Sequence, residues 1–292
     1  MNGAQTTPFY FNAFLRCRDR LLDLSRPQVM GIINMTDDSF YAGSRSASVS
    51  EALRRAEHML SQGAAVLDIG GMSSRPGSLP VSEAEELKRL IPAVEAICQS
   101  FPEALVSVDT WRARVVHEAC EAGASVVNDI SAGALDPDLW PMVAKLNMPY
   151  VLMHMKGTPA TMQQQPHYDH VVREVFLFFR DKLMELHASG IHDIILDPGF
   201  GFGKTLQHNY QLLSHLKTFA ALGYPVMAGL SRKSMVYRPL GLTPEEALNG
   251  TTALHMIALQ QGARLLRAHD VAEAVQTIRL WELLTTQGQD GI

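Results

Sequence analysis

The stretch LVSVDTWRARVVHEACEAGASVVND, residues 105–129, holds the unit from which the chain is built. Leu105–Asp109 is a short run, apolar on both alternating faces, as expected of a parallel strand covered on both sides. Arg112–Ala122 carries apolar residues at helical spacing, and Gly123 follows where a helix end favours positive φ. Ser125–Asp129 then opens another apolar run. Outward from this unit, runs recur at Val29–Asn34, Ala65–Gly70, Tyr150–His154, Ile194–Asp197, Val226–Gly229 and Ala263–Arg267. Helical patterns lie between and beyond them at Ser50–Gln62, Ser82–Gln99, Asp138–Leu146, Asp169–Ser189, Asn209–Leu222, Pro244–Gln261 and Val271–Thr285. Ser82 with Glu85 three residues on reads as a capping box, and Pro244 as a helix start.

Eight alternations of this kind, without a break in composition, predict an α/β fold: a single (β/α)8 TIM barrel. A doubly wound open sheet is the alternative. The expected layout is an N-terminal extension over residues 1–28 covering the barrel bottom, the barrel over 29–286, and a tail over 287–292.

The chain has 292 residues, 47 % of them hydrophobic, which suits a sizeable core and argues against disorder. Its 25 Lys and Arg against 30 Asp and Glu leave a net charge of −5, so a general nucleic-acid coat is excluded. No apolar run is long enough to span a membrane, and the N-terminus lacks a secretory pattern. Cys17, Cys98 and Cys120 are too sparse for a disulfide framework or zinc knuckle. A cytoplasmic enzyme with neither nucleic-acid nor membrane partners is expected.

Active sites in such barrels lie at the C-terminal strand ends. Here the ends carry Asn34, Asp68 to Gly71, Asp109, Asn128-Asp129, His154, Asp197, Ser231-Arg232-Lys233 and Arg267 to Asp270. Helix capping explains single Asp, Asn and Ser residues, but not Lys233, Arg267 and His269. Asp109, Asn128, Asp197 and Lys233 suit the donor and acceptor edge of a flat heterocycle. Asn34, Arg267 and His269 suit an anion with a divalent metal. DPGFGFGKT, residues 197–205, is not a nucleotide phosphate loop, because Pro198 stands where that loop needs glycine. Phe200 and Phe202 read equally as core residues or stacking platforms. His154 reads equally as structural or catalytic, and His117, His187 and His192 form no metal cluster. Long polar loops, Thr36–Arg45 and Gly70–Ser78, have the character of mobile lids.

With these motifs in order, the chain resembles the dihydropteroate synthases of folate synthesis. The resemblance rests on MGIINMTDDSF (30–40), DIGGMSSRPG (68–77), SVDT (107–110), VNDI (127–130), MHMKGTP (153–159), DPGFGFGKT (197–205), SRKS (231–234) and RAHDV (267–271). It implies a transferase joining 6-hydroxymethyl-7,8-dihydropterin pyrophosphate to 4-aminobenzoate, with sulfonamides as aminobenzoate mimics. It implies that Asp109, Asp197, Lys233 and Arg267 are catalytic, and that Asp109, Asn128, Asp197, Lys233 and Phe202 hold the pterin. Asn34, Arg75, Arg267 and His269 would take pyrophosphate, with Asn34 at a magnesium ion. Ser74, Arg75, Pro76, Phe202, Ser231 and Lys233 would frame the aminobenzoate, and Thr36, Asp37 and Phe40 would close the site. A homodimer is also implied; Leu254, Ile257, Ala258, Leu280 and Leu283 face either a second copy or the barrel. The chain departs from the family pattern at Asp37, where proline is common, at Met72, often Glu, and at Ser74, often Thr. A pterin-dependent methyltransferase and a silent pterin-binding paralogue are the alternatives.

Overall fold

Parity along the strands decides which side chains enter the interior. The computed structural model describes residues 13–35, 45–72, 81–158, 161–162 and 166–287. A hairpin of β1 (Phe14–Cys17) and β2 (Arg20–Asp23) comes first. The barrel strands follow: β3 (Gln28–Asn34), β4 (Val66–Gly70), β5 (Leu105–Asp109), β6 (Val126–Asp129), β7 (Tyr150–Met153), β8 (Ile194–Asp197), β9 (Val226–Ala228) and β10 (Ala263–Ala268). All are parallel, and β10 closes the ring by pairing with both β9 and β3. The predicted TIM barrel is therefore the observed fold.

Each strand contributes one residue to an apolar floor: Met30, Val66, Leu105, Val126, Val151, Ile195, Met227 and Leu265. Leu15, Cys17 and Leu22 of the hairpin, with Leu24 just after it, pack onto this layer and seal the bottom. The intervening residues, such as Val106, Val108, Leu67 and Ile69, face the helices and join the outer core. Two positions above the floor, the inward face turns polar at Asp68, Ser107, Asn128, Asp197 and Arg267. Two positions further come Asn34, Gly70 and Asp109, paired in register across β3, β4 and β5. The interior thus grades from hydrocarbon to charge along one direction.

The surrounding helices are α1 (Arg45–Ser61), α2 (Glu83–Ser100), α3 (Ala113–Glu121), α4 (Leu139–Leu146) and α5 (Val171–Ala188). After β8 come α6 (Leu206–Ser214) and α7 (Lys217–Ala220); after β9, α8 (Ser234–Tyr237) and α9 (Leu248–Gln260); after β10, α10 (Val271–Gln287). Gly123 ends α3 at φ +114° and leaves room that a Cβ would lose to Cys98.

Three local readings are corrected. The helix expected over Asn209–Leu222 is two, because the Ser214 hydroxyl and the His215 ring both turn back to the Gln211 carbonyl and compete with the backbone ladder. Pro244 lies in a turn ahead of α9, not at its start. Ser82 caps α2 by accepting from the Glu85 N–H, but Glu85 gives its carboxylate to Arg89 and leaves the box half made.

The floor makes the hairpin a structural requirement. Leu24→Ala, at a fully buried site, is expected to lower the unfolding free energy by about 2–5 kcal/mol. Urea denaturation measures this, and a change under about 1 kcal/mol would mean the seal is dispensable.

Candidate active site

Arg267 enters the mouth from β10 and reaches across it to two carboxylates. Its Nε donates to Asp68 Oδ2 at 2.6 Å and its Nη2 to Asp109 Oδ2 at 2.8 Å. Asn128 Nδ2 donates to the same Asp68 oxygen at 2.9 Å. Asp68 is fully buried, and its Oδ1 makes no hydrogen bond among the described residues. Burial pushes the Asp109 carboxyl up to about 7 despite Arg267 beside it, with the Asp68 charge adding to the rise. For Arg267, burial pulls downward, but Asp68 and Asp109 outweigh it and hold the guanidinium firmly charged. Losing one member of such a buried set costs about 3–5 kcal/mol, because the others remain charged without a partner.

Asp197 and Lys233 lie close enough for each to act on the other's charge. Asp197, at the end of β8, accepts the Gly199 N–H at 2.8 Å. Burial raises its carboxyl above the ordinary value, against the pull of Lys233. Lys233 donates to the Phe200 carbonyl and sits 4.7 Å above the centre of the Phe202 ring. Burial brings its ammonium down to about 8, against the opposing charge of Asp197. Phe202 belongs to a small apolar cluster at the mouth with Ile130, Met153 and Met162, whereas Phe200 is fully buried in the outer core. Phe200 is thus a core residue, whereas Phe202, also buried, lies in the smaller cluster beneath Lys233.

The loop beneath Phe202 is organised by Lys204. This side chain is buried, and its Nζ lies 2.9–3.1 Å from the carbonyls of His154, Gly199 and Phe202, which accept from it, and 3.0 Å from His154 Nδ1. Burial holds its ammonium well below the lysine range, with Asp197 opposing. The loop lies so close to the chain after β7 that a Cβ at Gly199, φ +69°, would collide with the His154 carbonyl. His154 itself stacks edge-on against Phe178, and burial followed by the Lys204 charge drives its imidazole well below the usual range. This is a structural histidine.

Other expected residues separate clearly. Ser231 Oγ lies 3.2 Å from His269 Nδ1 and accepts the His269 N–H at 3.2 Å, so these two meet at the mouth. Asn34 ends β3 on the rim, half-buried. Asp129 has outward parity: it takes the Tyr150 hydroxyl at 2.6 Å and the Ser131 and Gly133 N–H groups at 2.7 Å each, which fixes the turn after β6 and keeps it out of the mouth. Thr36, Asp37, Phe40, Ser74, Arg75 and Pro76 lie outside the described residues. Met72, at the start of the second loop, is buried with its sulfur 3.5 Å from Arg112 Nη1. Asp68 was named at its strand end without a role of its own, and Lys204 only as part of the loop after β8. The first carried a usable signal, since Val66, Asp68 and Gly70 share inward parity.

A closed parallel barrel with buried, paired charges gathered at one end defines a class, and sequence comparison identifies it. The profile of the pterin binding enzyme family matches residues 30–269. The dihydropteroate synthase of Haemophilus influenzae is 44 % identical over 270 residues, which is 92 % of this chain and 98 % of that protein. A Yersinia pestis dihydropteroate synthase, in complex with a sulfonamide drug, superposes with a TM-score of 0.88 at 45 % identity, over 94 % of this chain and 99 % of that one. A Xanthomonas albilineans dihydropteroate synthase with 4-aminobenzoic acid also reaches 0.88, at 42 % identity, over 94 % and 98 % of the two chains. The chain belongs to the pterin binding enzymes and, within them, to the dihydropteroate synthase family.

Lys204→Met removes the donor from three buried carbonyls, those of His154, Gly199 and Phe202, and is expected to lower the unfolding free energy by at least about 1–3 kcal/mol. Equilibrium urea titration reads this; unchanged stability would mean those carbonyls find other donors.

Proposed function

We infer that the chain joins 6-hydroxymethyl-7,8-dihydropterin pyrophosphate to 4-aminobenzoate, giving 7,8-dihydropteroate and pyrophosphate. The observation that carries this reading is the inward layer of Asp68, Asn128, Asp197 and Arg267 beneath Asp109. It gathers carboxylates, an amide and a guanidinium on the inward faces of β4, β6, β8 and β10, directly above an apolar floor. Asp197 and Asn128 read the ring N–H and acceptor groups of the pterin, and Lys233 and Phe202 border the next space, where the aminobenzoate stacks.

The reaction breaks the bond from the pterin methylene carbon to the pyrophosphate oxygen, and the electron pair leaves with pyrophosphate. Arg267 and His269 stabilise the charge on that leaving group. Asp109, ionised, lies where it offsets the positive charge spreading from the methylene into the ring. The aniline nitrogen then bonds to that carbon and loses its proton to solvent. A strong base is unnecessary against such an electrophile, so catalysis is chiefly ionisation and positioning.

Magnesium belongs to this reading. Among the described residues no three His, Cys, Asp or Glu side chains converge on a metal. The Asn34 amide oxygen on the rim is a hard donor, and magnesium readily completes its shell with water and phosphate oxygens. When bound there, the ion would add charge stabilisation to the departing pyrophosphate.

A second copy of the chain fits one face. Of the five apolar residues at issue, Ala258 is buried and Leu254 partly so, whereas Ile257 on α9 and Leu280 and Leu283 on α10 are exposed, with Leu284 beside them. Leu280 is 61 % and Leu283 53 % exposed, a patch that a homodimer would cover. No helix among the described residues is long and apolar enough to cross a membrane. Free thiols at Cys17, Cys98 and Cys120 suit a reducing compartment such as the cytoplasm.

Purified protein with magnesium and the pterin pyrophosphate is expected to release pyrophosphate and form dihydropteroate when 4-aminobenzoate is added; pterin binding without product would sink the reading. The active form needs Asp109 ionised and Lys233 protonated. The profile of kcat/KM against pH should therefore rise through about 7 and fall through about 8, as apparent values of a coupled site. Asp109→Asn should lose activity while the fold persists; wild-type turnover in that variant would remove Asp109 from its role. Sedimentation should show a dimer that Leu283→Lys weakens, and a monomer in the unaltered chain would end the dimer reading.

A further inference from the structure

Two consecutive residues after β9 pair with two consecutive residues after β10. Ser231 meets His269, as described above. One step along, Arg232 forms a two-pronged pair with Asp270, Nε to Oδ2 at 2.9 Å and Nη2 to Oδ1 at 2.6 Å. Planar forks of this kind fix both distance and orientation, which a lysine does not reproduce. Neither residue has a part in the chemistry proposed above.

The backbone shows that this contact matters. Arg232 holds φ +54°, a left-handed conformation that an L side chain adopts only where its surroundings compensate. Two contacts hold it there: the fork to Asp270, and its own N–H, which donates at 3.2 Å to Thr251 Oγ1, buried on α9. Glycine would adopt this φ freely. An arginine in its place keeps the strain and adds the fork. On either side, Ser231 reaches His269 and Lys233 reaches the Phe200 carbonyl and the Phe202 ring.

We propose that the Arg232–Asp270 pair is a positioning device for the reaction, setting the spacing between Lys233 on one loop and Arg267 with His269 on the other. This rests on the functional reading above. Lys233 borders the pterin and the aminobenzoate, whereas Arg267 and His269 take the pyrophosphate. The bond that breaks lies between these two groups of ligands. A slide of one loop against the other moves the groups that stabilise the departing pyrophosphate away from the methylene carbon, and that carbon away from the aniline nitrogen, although each ligand still finds its own contacts. The cost therefore falls on kcat rather than on either KM. An error of about 1 Å in such alignment is enough for a loss on the order of a hundredfold. Glu245 and Glu273 also lie near enough to act on the Arg232 charge. An arginine freed from Asp270 can turn to them, so both sides of the pair have to be altered.

The test compares Arg232→Gly, Asp270→Ser and the double variant. Arg232→Gly removes the fork and also relieves the left-handed strain, so its unfolding midpoint should equal or exceed that of the unaltered enzyme. Its kcat should fall by at least about tenfold, with both KM values within about threefold. Asp270→Ser should match that loss, and the double variant should be no worse than either single one. Full kcat in Arg232→Gly overturns the proposal, as do single losses that multiply in the double variant. A fall in kcat that tracks a fall in unfolding midpoint overturns it too, because local unfolding then accounts for both. Should the unaltered enzyme form no dihydropteroate, the functional reading fails and this proposal with it; turnover by the unaltered enzyme with equal turnover by Arg232→Gly defeats the proposal alone.

Discussion

A guanidinium held between two carboxylates inside a hydrocarbon barrel is the constraint on which the site depends. Asp68 sits one layer above the apolar floor, out of reach of water, where an isolated charge would be very costly. Arg267 offsets it, and because β10 closes the ring next to β3, its side chain can cross the interior to β4 and β5. The same fork fixes Asp109 on the rim, and the shared oxygen of Asp68 fixes Asn128. One cation thereby orients three groups on three strands. The rigidity comes from charge compensation within the barrel wall, so the mouth is arranged before any ligand arrives.

Lys204 solves a different problem. The chain from Pro198 to Gly203 runs so close to the segment after β7 that ordinary strand pairing cannot satisfy its carbonyls. An ammonium set among them takes the place that peptide N–H groups would fill, much as a bound ion might organise a loop. The glycines permit the close approach and the lysine satisfies it. Phe202 is presented to the mouth as a result, with Lys233 over its face. Two lysines near one aspartate therefore act differently: one is sealed in the backbone, the other borders the open space.

Much of this was legible in the sequence, for a physical reason. Parallel strands buried on both sides read as apolar runs, so a polar residue that ends one stands out, as Asp109, Asn128, Asp197 and Arg267 do. Asp68 was visible among the strand ends, but its part as the buried partner of Arg267 was not, although its parity with Val66 pointed inward. Asp129 ends a strand too, but its parity is outward, and it braces Tyr150 and a turn. Phe200 and Phe202 share one composition and one loop, and their division between core and mouth depends on how that loop turns. The hairpin of β1 and β2 was unreadable because its turn runs through Arg18 and Asp19, with Arg18 at φ +61°, where a glycine or asparagine would have announced it. Lys204 gave no sign either, since nothing in a Gly-Lys-Thr triplet says that the ammonium folds back on its own backbone.

The sealed floor has a consequence for traffic. Among the described residues, Leu15, Leu22 and Leu24 close one end, so the interior is entered as a blind shaft from the charged end. Under the proposed reading the pterin occupies the deeper space and the aminobenzoate the one above it. Occupants of a blind shaft form a stack, in which the deeper molecule goes in first and comes out last. A compound lodged at the upper level is then also a cork, retaining whatever lies below it.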